Sequence, residues 1–141
     1  MRAVLLDSSV YIAALRSGNE KALSWRRSFE ASLWLSSVVL EELYAGSTSR
    51  DQFVIERVER DFDRVGRILV PTLNDWILTG KVLARLAHKY DYELVGRSRM
   101  TNDALIAMSA ARKGIVVLTA NPRDFARLAE FRPFRWQTWS G

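Results

Sequence analysis

With 141 residues, 48% of them hydrophobic, the chain has the size and apolar content of one domain with a single core, which we predict to span residues 1–141. The absence of cysteine excludes disulfides, thiolate nucleophiles and cysteine-rich zinc sites, and the single histidine, His88, excludes sites that need two imidazoles. A formal net charge of +5 favours an anionic partner, of which nucleic acid is one class.

Apolar runs and helix-capping residues alternate along the amino-terminal part of the chain. Residues 2–6 predict a buried strand, and Asp7, Ser8 and Ser9 are typical of the cap before a helix over residues 10–15. The pattern continues with a break at residues 17–19, a helix over 20–29, a strand over 33–35 and a helix over 38–45 that Ser36 or Ser37 caps and Gly46 ends.

The remaining elements follow the same alternation. A charged helix is predicted over residues 50–66, with Val54, Val58, Phe62 and Val65 along its packed side. After it come a strand over 68–70, a helix from Thr72 to about residue 89, a helix that Thr101 caps and Gly114 ends, a strand over 115–119, a short helix over 123–129 and an edge strand over 134–139. His88 falls in a last helical turn, where its charge suits the helix dipole.

This alternation predicts an α/β fold, namely a three-layer α/β/α sandwich with a central, mainly parallel sheet. In such sheets, ligands bind beyond the carboxyl ends of the strands. Two of these ends carry polar residues, with Asp7 after the first strand and residues 119–124 after the fourth. We therefore expect the chemistry of the protein at that edge of the sheet.

Asp7 is the first candidate for this chemistry. A carboxylate at the end of a buried strand is held on a rigid scaffold while its oxygens face a crevice. The same side chain could instead cap the next helix, although Ser8 or Ser9 could do that equally well. The residues alone leave both interpretations open.

Two further acids lie on helix faces that point towards the interior. Helical spacing puts Glu42 on the side of Val38 and Ala45, whereas Glu41 lies on the solvated side. Asp103 shares its side with the small residues of the segment 107–114. A place in the first helical turn would by itself favour an acid by up to about 1 kcal/mol, but it does not explain an acid on a small-residue face.

The segment after the fourth strand has a structural and a functional interpretation. Asn121 as a helix cap, Pro122 at the first helical position and Asp124 two residues later form a regular helix start. A capped helix at this place can still present Asn121 or Asp124 to a metal-bound water.

Several carboxylates that share one pocket raise one another's pKa values and repel each other unless a cation is present. Oxygen ligands without sulfur or imidazole favour Mg²⁺ or Mn²⁺. Phosphodiester hydrolysis is the chemistry that matches such a site and a basic chain.

Four segments, LDSSV, SVVLEELYAG, NDALIA and LTANPRDF, occur in the order found in PIN-domain proteins, and the chain resembles the VapC-like ribonuclease toxins of toxin–antitoxin pairs over about residues 3–131. The resemblance implies that Asp7, Glu42 and Asp103 are the catalytic acids and hold the metal. Many members have a fourth acid where this chain has Asn121. Either Asn121 supports a bound water, or Asp124 supplies the remaining catalytic charge, or both act behind the metal ligands with Thr119.

The resemblance further implies Mg²⁺- or Mn²⁺-dependent cleavage of RNA, restrained by a cognate antitoxin protein. It also implies a homodimer, for which the helix over residues 50–66 and the tail with Trp136 and Trp139 are the candidate surfaces. Four arginines flank the last two motifs and are the candidates for phosphate contacts, namely Arg97, Arg99, Arg123 and Arg127.

Other classes fit the sequence less well. Asp-nucleophile phosphatases need a second Asp where this chain has Ser9, and a dinucleotide-binding domain needs a glycine-rich first turn. A PIN-like module that binds nucleic acid or protein without cleavage remains the alternative to an enzyme, because Asn121 replaces an acid. No apolar stretch approaches the roughly 20 residues of a membrane helix, and Asp7 follows too early for a signal peptide, so we expect a cytoplasmic protein without membrane contact.

Overall fold

The computed structural model describes residues 2–17, 32–91 and 98–139, except for the side chains of 98 and 99. Its strands are β1 (Ala3–Leu6), β2 (Ser32–Ser36), β3 (Ile68–Leu69), β4 (Val116–Thr119) and β5 (Trp136–Thr138). Its helices are α1 (Ser8–Arg16), α2 (Ser37–Ala45), α3 (Ser49–Arg64), α4 (Leu73–Lys89), α5 (Ser98–Lys113) and α6 (Pro122–Ala129). The helix predicted over residues 20–29 lies outside the described residues.

The five strands form one sheet in the order β3-β2-β1-β4-β5, and every pair is parallel. Val4 of β1 lies opposite Leu33 of β2 on one side and Val116 of β4 on the other. All four residues of β4 are buried, as expected for a strand that helices cover on both faces. The predicted parallel α/β fold is confirmed.

The strand order fixes where the helices lie. The chain moves from β1 to β2 to β3 in one direction and then crosses to β4 and β5 in the other. Right-handed crossovers therefore put α1, α2 and α3 on one face of the sheet and α4, α5 and α6 on the other. The contacts agree, since α2 packs on α1 and α3, whereas α4, α5 and α6 pack on one another. The result is the predicted three-layer sandwich.

One cluster of buried side chains fills the space between the layers. Its largest fully buried members include Tyr11 of α1, Leu5 of β1 and Phe125 of α6. Phe125 also meets Phe134 edge to face, with the ring centroids 6.2 Å apart, which ties α6 to the tail. Because of this core, β1 and β4 form a rigid platform for the residues that follow them.

Two predicted details are wrong. The fifth helix starts at Ser98, so Thr101 is a helical residue and not the cap of the helix, while Gly114, with φ of +66°, ends it as predicted. Val65 is 60% exposed because it follows the last residue of α3, and Ile55, 1% exposed, takes its place on the packed side with Val58 and Phe62. Among the described residues, no helix is both long and apolar enough to cross a membrane.

Candidate active site

The pocket of interest lies where the chain changes direction across the sheet. From the end of β1 the chain enters α1 on one face, and from the end of the neighbouring strand β4 it enters α6 on the other. The Asp7 N–H donates to the Leu118 carbonyl at 3.0 Å, which holds the two strand ends together. Such a divergence opens a crevice at the carboxyl ends of the strands. The crevice here is a pocket of about 540 Å³.

Among the described residues, nine with polar or charged side chains line this pocket: Asp7, Ser8, Ser9, Arg16, Glu41, Glu42, Asn102, Asp103 and Asn121. They belong to four helices or to the residues that cap them, namely α1, α2, α5 and α6. Helices α2 and α5, from opposite faces of the sheet, contact each other at this point in the fold. The three acids expected from the sequence, Asp7, Glu42 and Asp103, thus share one pocket.

Asp7 is held by two hydroxyl groups, one on each carboxylate oxygen. Oδ1 accepts hydrogen bonds from the Ser9 hydroxyl and from the Ser9 N–H, the latter at 3.1 Å. Oδ2 accepts a bond from Thr119 Oγ1 at 2.6 Å. Each hydroxyl oxygen in turn accepts a backbone N–H, Ala120 N–H on Ser9 at 3.1 Å and Asn121 N–H on Thr119 at 2.9 Å. Asp7 is therefore fixed in rotation and tied to the loop after β4.

Asp7 has the capping role that one of the two interpretations expected, and it also faces the pocket. Only 4% of its surface is exposed, and this burial raises the pKa of the carboxyl above its ordinary value, while the bonds from Ser9 and Thr119 act in the opposite direction. A buried carboxylate with this environment gains from a cation nearby.

Glu42 also lines the pocket, and one of its carboxylate oxygens is buried. Its Oε1 is buried and has no hydrogen-bond partner among the described residues. Burial raises the pKa of the Glu42 carboxyl, hydrogen bonds from Asn102 and Ser8 lower it, and the negative charge of Glu41 raises it. Glu42 is half-buried and Glu41 is exposed, as the helical spacing predicted. An unpaired acceptor beside other acids is a place where a cation is favourable.

Asp103 is 6% exposed and lies on the face of α5 that also carries the fully buried Ala107 and Ala110. Because α5 starts at Ser98, Asp103 is its sixth residue and stands beyond the first turn. The helix dipole therefore does not account for an acid at this position, since its effect falls off within the first turn. Asp103 also lines the pocket.

The candidates after β4 occupy different places. Thr119 is fully buried and bonds to Asp7, whereas Asn121 lines the pocket. Asn121 stands at the cap position of α6, but its side chain makes no capping hydrogen bond, so the predicted capping role is wrong. Pro122 starts the helix as predicted. Asp124, half-buried in the first turn of α6, is not among the residues that line the pocket.

Where the structure describes them, the arginines proposed to contact phosphate do not line the pocket. Arg97 lies outside the described residues, and so does the side chain of Arg99. Arg123 is exposed but does not line the pocket, and Arg127 lies 4.7 Å from the centre of the Tyr90 ring. Sequence reasoning missed Arg16, which does line it. The signal was available, because Ser9, Ile12 and Arg16 recur at helical spacing on one side of α1.

Whether these residues fit a metal ion depends on their number and chemistry. Within the ranges that the structure describes, no group of three or more His, Cys, Asp or Glu side chains is arranged to hold an ion by itself. The candidate metal ligands around the pocket are nevertheless carboxylate and amide oxygens, and Glu42 Oε1 has no hydrogen-bond partner in the part of the chain that the structure describes. Mg²⁺ commonly binds through one or two carboxylates and keeps several waters. The residues fit a hydrated cation of that kind.

A family model described as the PIN domain matches residues 4–131. No curated protein sequence is significantly similar to the chain.

Solved structures similar to the chain include the DNA-bound VapBC of Salmonella typhimurium, in which the matched chain is 26% identical. The alignment covers 99% of this chain and 100% of the matched chain, with a TM-score of 0.70. The VapBC-1 structure from nontypeable Haemophilus influenzae is 24% identical, with 99% of each chain covered and a TM-score of 0.66. VapBC2 from Rickettsia felis, bound to a DNA fragment from its promoter, is 19% identical, with 98% and 99% covered and a TM-score of 0.68. The last two comparisons, at lower identity, speak for the fold alone.

Proposed function

The chain belongs to the PIN-domain family, and on that premise we propose that it is a metal-dependent endoribonuclease that acts as the toxin of a toxin–antitoxin pair. One observation carries the proposal, namely that Asp7, Glu42 and Asp103 line a single pocket at the ends of β1 and β4. Residues far apart in the sequence are brought together there with little to gain in stability, since buried acids repel one another. Function explains their placement better than folding does.

A divalent cation, Mg²⁺ or Mn²⁺, would supply a water of lowered pKa and neutralise charge on the leaving oxygen. Asp7, Glu42 and Asp103 would hold it. Asp7 is ready for this task because Ser9 and Thr119 fix its orientation and leave little rotational freedom to lose on binding. Asn121 lines the same pocket and can hydrogen-bond an attacking water or a phosphate oxygen without adding negative charge.

RNA and the acids of the pocket are both negatively charged, so the rest of the protein surface must attract the RNA. The net charge of +5 is consistent with that role, and the attraction would weaken as salt increases. We place the reaction in the cytoplasm, where RNA is available as substrate.

The partner proposals rest on the relatives. The similar structure from Salmonella typhimurium is one of VapBC bound to DNA, so we propose a cognate antitoxin for this chain. We also propose a homodimer. Trp136 and Trp139 pack partly against the core, but Phe53 on α3 and Trp76 on α4 are more than half exposed and offer apolar area to a partner.

The direct test is cleavage of total RNA and of defined single-stranded RNA by the purified protein, freed of any co-purified antitoxin, with Mg²⁺ or Mn²⁺. EDTA, Asp7→Asn and Asp103→Asn should each abolish the fragments, while circular dichroism shows the variants to be folded. Asp63→Asn, at an exposed acid on α3, is the matched control and should cleave normally. Absence of cleavage by the folded protein, together with RNA binding, would overturn the nuclease and favour a binding module.

A further inference from the structure

The pocket that contains the three acids is also lined by a positively charged residue, Arg16. Ser9, Ile12, Ala13 and Arg16 recur three or four residues apart on one side of α1, and all four line the pocket. The helix rises about 1.5 Å per residue, so the backbone of Arg16 stands roughly 10 Å along the axis from that of Ser9. Ser9 is the residue that hydrogen-bonds Asp7. One wall of the pocket therefore runs from the buried carboxylate to an exposed guanidinium.

Arg16 lines a pocket that also contains four acids, yet it pairs with none of them. The ion pairs within the described part of the chain include Lys89 with Glu130 and Arg112 with Asp75, and no ion pair of Arg16 is found there. Asp7, Glu41, Glu42 and Asp103 all border the same space. An exposed guanidinium that stays out of reach of nearby carboxylates keeps its hydrogen-bond donors available for an anionic ligand.

The wall between the acids and Arg16 is apolar. Ile12 and Ala13 form it on α1, and Ala45 lines the pocket from the end of α2. A nucleoside has no charge and its base offers flat apolar faces, so it suits this apolar wall. Of the two phosphates that flank it, one would lie beside the three acids and their cation and the other beside Arg16. The order of these groups, acidic, apolar and basic, corresponds to a cation-bound phosphate, a nucleoside and a second phosphate.

We propose that Arg16 binds the phosphate next to the scissile one, with the intervening nucleoside over Ile12, Ala13 and Ala45. This subsite rests on the proposed function for its substrate, single-stranded RNA. Arg16 is thereby a binding residue that holds the strand in register with the three acids. Its position in the last turn of α1 also suits the helix dipole, and that purely structural role predicts no effect on RNA.

The binding test uses full-length protein in the Asp7→Asn background, so that no RNA is cleaved, and a fluorescein-labelled single-stranded RNA as probe. Anisotropy titrations over a range of KCl concentrations give Kd and its salt dependence. We expect Arg16→Gln to raise Kd several-fold and to reduce the slope of log K against log salt by about 0.7, the contribution of one phosphate contact on a single strand. Arg16→Lys should restore the slope.

The matched control is Arg132→Gln. Arg132 is also exposed and also lines a cavity, but that cavity is a separate one, formed by α4, the end of α5 with Arg112, and the segment before β5. Equal losses from Arg16→Gln and Arg132→Gln would overturn the proposal, because they would report general charge only. An unchanged slope in Arg16→Gln would overturn it as well.

A cleavage test locates the phosphate. RNA substrates carry one uncharged methylphosphonate linkage, on either side of the cleaved bond. We expect one of the two positions to slow the wild-type enzyme and to have no further effect on Arg16→Gln. Equal sensitivity of both proteins would contradict the proposed contact. If the wild type cleaves no RNA, the nuclease proposal fails, while the binding titrations still decide the role of Arg16.

Discussion

Thr119 Oγ1 donates a 2.6 Å hydrogen bond to Asp7 Oδ2 and so joins two residues that are 112 positions apart in the sequence. The same hydroxyl accepts the Asn121 N–H at 2.9 Å. A single side chain thus links the end of β1 to the loop after β4. The position and rotation of Asp7 depend on this link, together with Ser9 on the other oxygen.

Thr119→Val should therefore impair activity more than its small change in shape suggests. Valine has nearly the same volume, but it leaves Asp7 Oδ2 and the Asn121 N–H without their partner. We expect an activity loss of about 10- to 100-fold, as for residues that orient metal ligands, and a loss of about 1–3 kcal/mol in the free energy of unfolding. RNA cleavage rates and urea unfolding measure the two effects.

Thr79→Val is the matched control for that substitution. Thr79 is also buried, but within the described part of the chain its Oγ1 has no hydrogen-bond partner. Replacement by valine should leave stability unchanged or increase it, because an unsatisfied buried hydroxyl is costly. If both variants behaved alike, the bond from Thr119 to Asp7 would carry no special weight.

The metal-free protein should lose stability as the pH rises out of the acid range. Burial raises the pKa of both Asp7 and Glu42 in the folded chain. Their protonated forms therefore stabilise the fold below the unfolded pKa of about 4, and this stabilisation is lost as the pH rises through the higher folded pKa. Urea unfolding of the metal-free protein between pH 4 and pH 7 measures the change.

Glu42→Gln should flatten this pH dependence, and Mg²⁺ should stabilise the wild type more than this variant at pH 7, since binding to the folded state adds to its stability. Asp63→Asn removes an exposed acid and should keep the wild-type profile. A Glu42→Gln profile identical to that of the wild type would mean that burial of Glu42 carries no electrostatic cost.

A hydrogen bond between α2 and α3 provides a test of stability that does not involve the three acids of the pocket. The Tyr44 hydroxyl donates to Glu59 Oε1 at 2.6 Å, and burial together with this bond raises the pKa of Tyr44 to about 12. Tyr44→Phe should cost about 1 kcal/mol in the free energy of unfolding. The part of that stability that depends on the phenol should be lost as the pH rises from about 10, the unfolded pKa, to about 12, the folded pKa. An ultraviolet titration that found an ordinary phenol pKa would contradict this bond.

Asp75 should behave differently from the acids of the pocket. It is fully buried, completes a capping box with Thr72 and accepts Arg112 Nε at 3.2 and 3.0 Å on its two oxygens. Asp75→Asn should cost roughly 2–4 kcal/mol, because it weakens a buried charge pair whose arginine is partly exposed. Cleavage per folded molecule should stay normal. A specific loss of activity in the folded variant would show that this ion pair supports the active site.

The sequence alone predicted most of the regular structure. Apolar runs marked β1 and β4, and the helical period placed Glu42 on the inner side of α2 with Glu41 in solvent. These features are local, because the strand and helix periods and the burial of apolar side chains act on neighbouring residues. The order of the four family segments indicated the fold and the site for the same reason, since each segment is a local pattern.

Only the tertiary structure decided which polar residues meet. Pairing of β1 with β4 brings Thr119 to Asp7, and packing of α2 on α5 brings Asn102 to Glu42. Local capping rules pointed to Thr101 and to the Asn121 side chain, but α5 starts at Ser98 and the side chain of Asn121 makes no capping bond. Strand order and helix packing depend on contacts between distant segments, whose energies no local pattern contains.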